Sequence, residues 1–233
     1  PEDPAVDVGL EQIAQHYREI ARIQLAEDEL QRSLEAAANG LKAVPDDPEL
    51  LLIQGNATAR LDATARAIQV ELQTAERLMA SGQFVPGQPG MEEVSDNALA
   101  AFNRVLTLDP ENAEATSGLS LIPVQVETAA GQLQRAGELE QARSLLLAAS
   151  ATFTDLPQFS ETIRDLDERI DERETRQRLA SQLEIIDQLL RSRPLTIDLI
   201  DQTSEALRNV RIEFPDEVEI TRRSNEFLRM VGT

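Results

Sequence analysis

The stretch from Ser95 to Ala115, SDNALAAFNRVLTLDPENAEA, constrains the fold of this chain more than any other. Ala98, Phe102 and Val105 recur at helical spacing, small then aromatic then aliphatic, so they share one face of a helix. Asp109-Pro110 closes that helix, because proline cannot donate to the preceding turn and disfavours helix in the residue before it. Asp-Pro-Glu is also a start signal, since Asp can cap, Pro suits the first helical position and Glu favours the positive helix end. A helix, a proline turn and a second helix are therefore written within about twenty residues.

The same spacing recurs. Ser33 to Pro45, Ala98 to Pro110 and Thr203 to Pro215 each run twelve positions from small residue to closing proline. Ala142 to Pro157 runs fifteen, a departure in the expected turn. Tyr17, Ile20, Ala21 and Gln24 precede the first of these segments, and Val126, Ala129, Ala130 and Leu133 stand at the same spacing before Ala142. Asp47-Pro48-Glu49 opens a long helix with the stripe Leu61, Ala65, Ile68, Leu72, Ala75 and Met79. Gly55-Asn56 is a candidate bend in it, and Ser81-Gly82 its end. Pro123 predicts a kink or break over 119–123.

Residues 158–191 carry two apolar stripes, Phe159 to Ile170 and Leu179 to Leu190, separated by a charged middle. A continuous helix there would span about 50 Å. Its middle would be held by pairs such as Glu172–Arg176 and Glu174–Arg178. Ile200, Thr203, Leu207 and Val210 make the next helix. A terminal helix over 216–230 presents Val218, Phe227 and Val231. No strand alternation is found. The expectation is an all-α chain: a linker over 1–8, then one elongated domain of antiparallel hairpins over about 9–45, 47–109, 111–155 and 158–214.

The small-x3-aromatic helix with its proline turn, strongest over residues 82–119, resembles the second half of a tetratricopeptide-repeat hairpin. The block is similar to irregular repeat regions in extracytoplasmic portions of bacterial membrane-anchored proteins, among them serine/threonine kinases. The resemblance implies an irregular α-solenoid with some long helices, built to hold a protein or peptide, or another domain of its own parent chain. It also implies a periplasmic position, with a cytoplasmic one as the alternative. The start PEDPAVD, without Met or signal segment, suggests a processed protein or a piece of a longer one.

Composition narrows the function. A formal net charge of −20 opposes binding to nucleic acid or anionic membrane surfaces. No apolar run is long enough to span a bilayer. With 3% aromatic residues, any core is built from Leu, Ile, Val and Ala, and with no cysteine there are neither disulfides nor thiolate metal sites.

Chemistry has few footholds. His16 is the only histidine and has no sequence partner for acid–base work. Asp165, Asp167 and Asp171 lie in a helical, arginine-rich stretch without the glycine turn of a calcium loop. Gly82, Gly87 and Gly90 lack the Gly-Lys-Ser/Thr of a phosphate cradle. The chain is expected to be a non-catalytic interaction scaffold with no cofactor and no metal. The alternatives are a sensor of a small ligand, such as a cell-wall fragment, and a structural spacer. The candidate partner-binding residues are Phe84, Val85 and Met91, apolar side chains in the loop from Gly82 to Glu93. The competing reading is that they pack on their own protein.

Overall fold

The computed structural model describes residues 4–89 and 96–232, which form nine helices and no strand. The chain divides into two compact units, residues 1–126 and 127–233, with the division falling inside α5.

In the first unit, α1 (Pro4–Ala26), α2 (Leu30–Ala43) and the first part of α3 (Pro48–Ala80) pack around Ala14, Ala21, Ala36, Ala37, Leu50 and Ile53. α1 begins at Pro4, inside the stretch 1–8 that the sequence reading gives as a linker. Small residues set the helix spacing. A Cβ added at Gly40 of α2 would come within 2.6 Å of Leu50 Cδ1 and 2.9 Å of Tyr17 Cβ, so both neighbouring helices lie too close for any side chain there. Asp47 caps α3 as its position predicts, accepting at 3.0 Å from the amides of Glu49 and Leu50. Its other oxygen meets Arg18 Nε at 3.1 Å, tying α1 to the start of α3. α4 (Ala98–Leu108) packs on α3, with Ala98, Ala101, Phe102 and Val105 buried. The first part of α5 (Ala113–Ala136) completes the unit.

In the second unit, α6 (Leu139–Thr152) packs on α7 (Pro157–Arg191). The far part of α7 packs with α8 (Ile197–Glu213) and α9 (Val218–Val231) around Ile186, Leu190, Leu207, Val210 and Ile220. α7 is one continuous helix of 35 residues. Arg223 of α9 is buried and grips Asp187 of α7 through both carboxylate oxygens, at 2.6 and 2.9 Å, with Glu219 at 2.7 Å on its third nitrogen. That fork matches carboxylate geometry and satisfies a charge that would be costly to bury alone. The face that α9 turns inward is therefore Ile220, Arg223 and Phe227. Val218, expected on the apolar stripe, is 75% exposed, and Val231 is also exposed.

Two kinds of turn recur. After α1, α3 and α5 the chain enters the left-handed region at Asp28, Gly82 and Gly137, with φ of 63°, 75° and 82°. In each case the next amide reaches back to the carbonyl five residues earlier: Glu29 to Gln24 at 2.8 Å, Gln83 to Leu78 at 2.8 Å, Glu138 to Leu133 at 2.9 Å. After α2, α4, α6 and α8 a different pair of bonds repeats. The C-cap amides of Val44, Asp109, Phe153 and Phe214 bond one turn back, and their carbonyls accept from Asp47, Asn112, Leu156 and Glu217.

The fourfold turn resolves the anomalous spacing after Ala142. Thr154 stands where the other three turns carry proline, and Pro157 is instead the first helical residue of α7, as Pro48 is of α3. Two backbone hydrogen bonds hold this turn, and proline is not required for it. Asp109-Pro110-Glu111 departs from expectation in another way. It forms the turn itself, and α5 starts at Ala113 with Asn112 accepting from the Ala115 amide at 3.0 Å.

α5 runs through Pro123 without breaking. Ile122 and Val126, fully buried on either side, anchor both halves against the roughly 3 kcal/mol that an interior proline costs. α3 likewise passes Gly55-Asn56 uninterrupted.

These turns expose an internal duplication. Asp28, Ser33, Ala37, Gly40, Asp47, Pro48, Leu50 and Ala57 stand at one constant offset from Gly137, Ala142, Leu146, Ala149, Leu156, Pro157, Phe159 and Leu166. Ser33, Ala37, Gly40, Leu50 and Ala57 are all buried, and so are their counterparts. Arg60 clasps the first turn, donating to the Leu25 carbonyl at 3.0 Å and to Asp28 at 2.6 Å. Arg169, at the same offset, donates to Gln134 at 2.9 Å.

Candidate functional site

The loop that carried the sequence-derived candidates is folded against its own unit. Phe84 is 4% exposed and Val85 fully buried. Gln88, also buried, accepts with Oε1 from the amides of Phe84 (2.8 Å) and Val85 (3.1 Å) and donates with Nε2 to the Gly82 carbonyl (2.6 Å). One side chain thus satisfies three backbone groups that the loop would otherwise leave unpaired. The carbonyls of Gln83 and Phe84 then accept from the amides of Ala98 and Leu99 at 2.9 and 3.1 Å, so the loop caps α4 alongside Asn97. Met91 lies outside the described residues. The two described members of the trio are interior residues, as the self-packing reading has it.

His16 is exposed and tilts against Tyr17 with ring centroids 5.8 Å apart. Asp167 is engaged by Arg143 across the α6–α7 contact. Among the described residues no group of three or more His, Cys, Asp or Glu side chains converges. No described helix is long and apolar enough to cross a membrane.

What the first unit does offer is a groove of about 470 Å³ between the end of α3, α4 and the start of α5. Its floor is made where the Phe102 ring lies on Gly118; a Cβ at that glycine would overlap the ring, so only glycine lets the aromatic seat there. Met79, Ala80 and Leu121 form apolar walls, and Leu121 is half exposed although it is a large aliphatic residue. Ser117 and Gln125 add hydrogen-bonding groups, while Glu76 and Glu114 stand exposed at the rim. The lining can take up an apolar side chain and attract a cation beside it.

A second depression, about 500 Å³, lies between the middle of α3 and α4, where Val70 and Leu108 are exposed. Arg104 borders it and is already neutralised by Glu71 at 2.8 Å and Asp96 at 3.0 Å. The hydrogen bond that Arg104 donates to Glu71, reinforced by Asp96 against the opposing effect of burial, holds that guanidinium above its ordinary range and firmly charged. With its charges mutually satisfied, this site has less left for a ligand than the Phe102 groove.

Sequence periodicity finds Phe102 and Met79 but not Gly118 or Leu121. Leu121 lies off the core stripe of α5, and an apolar residue on the polar face of an amphipathic helix is the signal that points to it. No protein-family model matches the chain, and neither does any curated protein or solved structure.

Proposed function

We propose that this chain is a non-catalytic helical scaffold that binds a protein segment in the groove over Phe102, in the manner of tetratricopeptide-type repeats. The observation that carries the reading is the groove itself: an aromatic floor seated on glycine, an exposed Leu121 and Met79 as walls, and acidic residues at the rim. The recurring turns and the register of the duplicated halves support the repeat character, because each helical pair reuses one way of closing. The lining favours a large apolar side chain flanked by Lys or Arg. A cell-wall sugar would need several convergent hydrogen-bonding groups, and the groove supplies only Ser117 and Gln125 between its glutamates. The small-ligand alternative is therefore the weaker of the two.

Selection of a random peptide library on the intact chain tests this. The enriched sequences should carry an aromatic or long aliphatic anchor beside basic residues, and should lose at least about tenfold in affinity for Leu121→Lys. Binders indifferent to Leu121→Lys would refute the assignment of the groove.

A further inference from the structure

The later halves of the two units also repeat in register. Ile68, Leu72, Ala75 and Met79 of α3 stand at one offset from Leu179, Leu183, Ile186 and Leu190 of α7, and the helices end one residue further on, at Ala80 and Arg191. Beyond the connecting loops, Ala98, Phe102 and Val105 of α4 stand at one offset from Thr203, Leu207 and Val210 of α8, and all six are buried. The same offset carries Ala113, where α5 begins, onto Val218, where α9 begins, and buried Ala115 onto buried Ile220.

This register lays one site over another. Glu76 falls on Asp187, Glu114 on Glu219 and Gly118 on Arg223. In the second unit those three residues form the charged fork: buried Arg223 donates to the two Asp187 oxygens at 2.6 and 2.9 Å and to Glu219 at 2.7 Å. In the first unit both carboxylates are kept and the arginine is gone. Glu76 and Glu114 line the groove over Phe102, and among the described residues neither has an ion-pair partner. An arginine cannot stand at position 118 itself, because a Cβ there would overlap the Phe102 ring. Leu121, half exposed, replaces the exposed Glu226 of α9, so the outer wall of the groove is apolar where its twin is charged.

Given the reading of the groove as a site for a protein segment, we infer that the segment presents an arginine whose guanidinium is held by Glu76 and Glu114, as Arg223 is held by Asp187 and Glu219. The arginine stem lies along Met79 and Leu121, apolar walls suited to its methylene groups. Arginine fits this pair better than lysine does, because its planar fork can meet two carboxylates at once.

The geometry is tested without any ligand by rebuilding the twin. Phe102→Leu should lower the melting temperature, and adding Gly118→Arg should restore part of the loss. That gain should disappear when Glu76→Gln is added. No gain, or a gain that survives Glu76→Gln, overturns the proposal. Binding is read on the wild-type chain by NMR titration with N-acetylarginine methylamide and with its lysine and citrulline counterparts. Amide shifts at Gly118 and Leu121 should saturate at least about fivefold more tightly with the arginine compound than with the lysine one, and not respond to citrulline. The affinity should fall in high salt, and at least about tenfold for Glu76→Gln or Glu114→Gln. No response at Gly118 and Leu121, equal affinity for the lysine compound, or indifference to both glutamine substitutions overturns the proposal; a peptide site that Leu121→Lys destroys would still stand. Tighter binding of free arginine than of the capped compound would assign the groove to a small guanidinium ligand and overturn the protein-segment reading with it.

Discussion

The two long helices, α3 of the first unit and α7 of the second, solve one problem in opposite ways. Each starts with proline at its first position, is buried at both ends and has no buried residue in its middle, over 58–74 in α3 and 167–185 in α7. In α7 that middle is charged. Arg176 pairs with Glu172 as the sequence predicts, Arg173 reaches Glu140, and Arg178 finds Glu213 of α8 instead of Glu174. In α3 the middle carries fewer charges and depressions open beside it, while large aliphatics remain in both middles, Leu61, Ile68, Val70 and Leu72 in α3 and Ile170, Leu179, Leu183 and Ile185 in α7. A helix that must cross solvent without function fills its surface with ion pairs that stabilise little but keep it soluble. Apolar residues left half exposed indicate a surface available for contact. Under the proposed function, recognition lies in the first unit and the charged middle of α7 serves as a solvated strut.

The equivalence of the buried ends is the firmest part of that comparison and should give the largest effect. Phe102→Ala and Phe159→Ala each remove an aromatic ring from a packed interior, and each should cost about 3–5 kcal/mol in chemical denaturation. A silent Phe159→Ala would break the claim that the second unit's core is as well packed as the first.

An intermediate effect is expected where the second unit relies on charge. The hydrogen bond from Arg223, with its charge and despite opposing desolvation, holds the Asp187 carboxyl below the usual carboxylate range. In the unfolded chain that carboxyl titrates near 4. The stabilisation is therefore complete above about pH 4 and is lost as pH falls further, through the lower folded value. Asp187→Ala should cost about 1–3 kcal/mol at neutral pH, between the values of exposed and fully buried pairs. It should also shrink the difference in melting temperature between pH 6 and pH 3. An undiminished acid response would show that Asp187 is not the group responsible.

The smallest effect belongs to the middle of α7. Glu172→Ala should change stability by only a few tenths of a kcal/mol, and the change should vanish in high salt. A loss above about 1 kcal/mol would mean that the strut is packed against something.

Much of the architecture was legible because local signals carried it. Asp47-Pro48-Glu49 named its cap, Ser81-Gly82 its stop, and Ser33, Ala98 and Thr203 their buried positions. The sequence misled where two signals overlap. Asp109-Pro110-Glu111 has the composition of a helix start, yet Asn112 outcompetes Asp109 as cap because the turn consumes Asp109. Pro123 suggested a kink or break; the helix does not break there, since burial of its neighbours outweighs the proline's local cost. The duplication was hidden because equivalent interior positions keep their burial and not their identity or size, Gly40 and Leu50 standing against the larger Ala149 and Phe159. The groove was illegible for a related reason. Gly118 has meaning only once Phe102 is seen lying on it, and the apolar loop residues that drew attention, Phe84 and Val85, were serving their own core.

The central claim is that recognition belongs to the groove of the first unit and not to α7. Leu121 and Ile185 test it most directly, because they are aliphatic side chains of nearly equal exposure, 51% and 53%, one at the groove and one on the strut. A photoreactive amino acid placed at each, activated in cells expressing the intact chain, should yield a discrete adduct at position 121, none at position 185, and none at position 121 when Gly118→Leu displaces the ring. Equal adducts at both positions, or an adduct at 185 alone, would contradict the account.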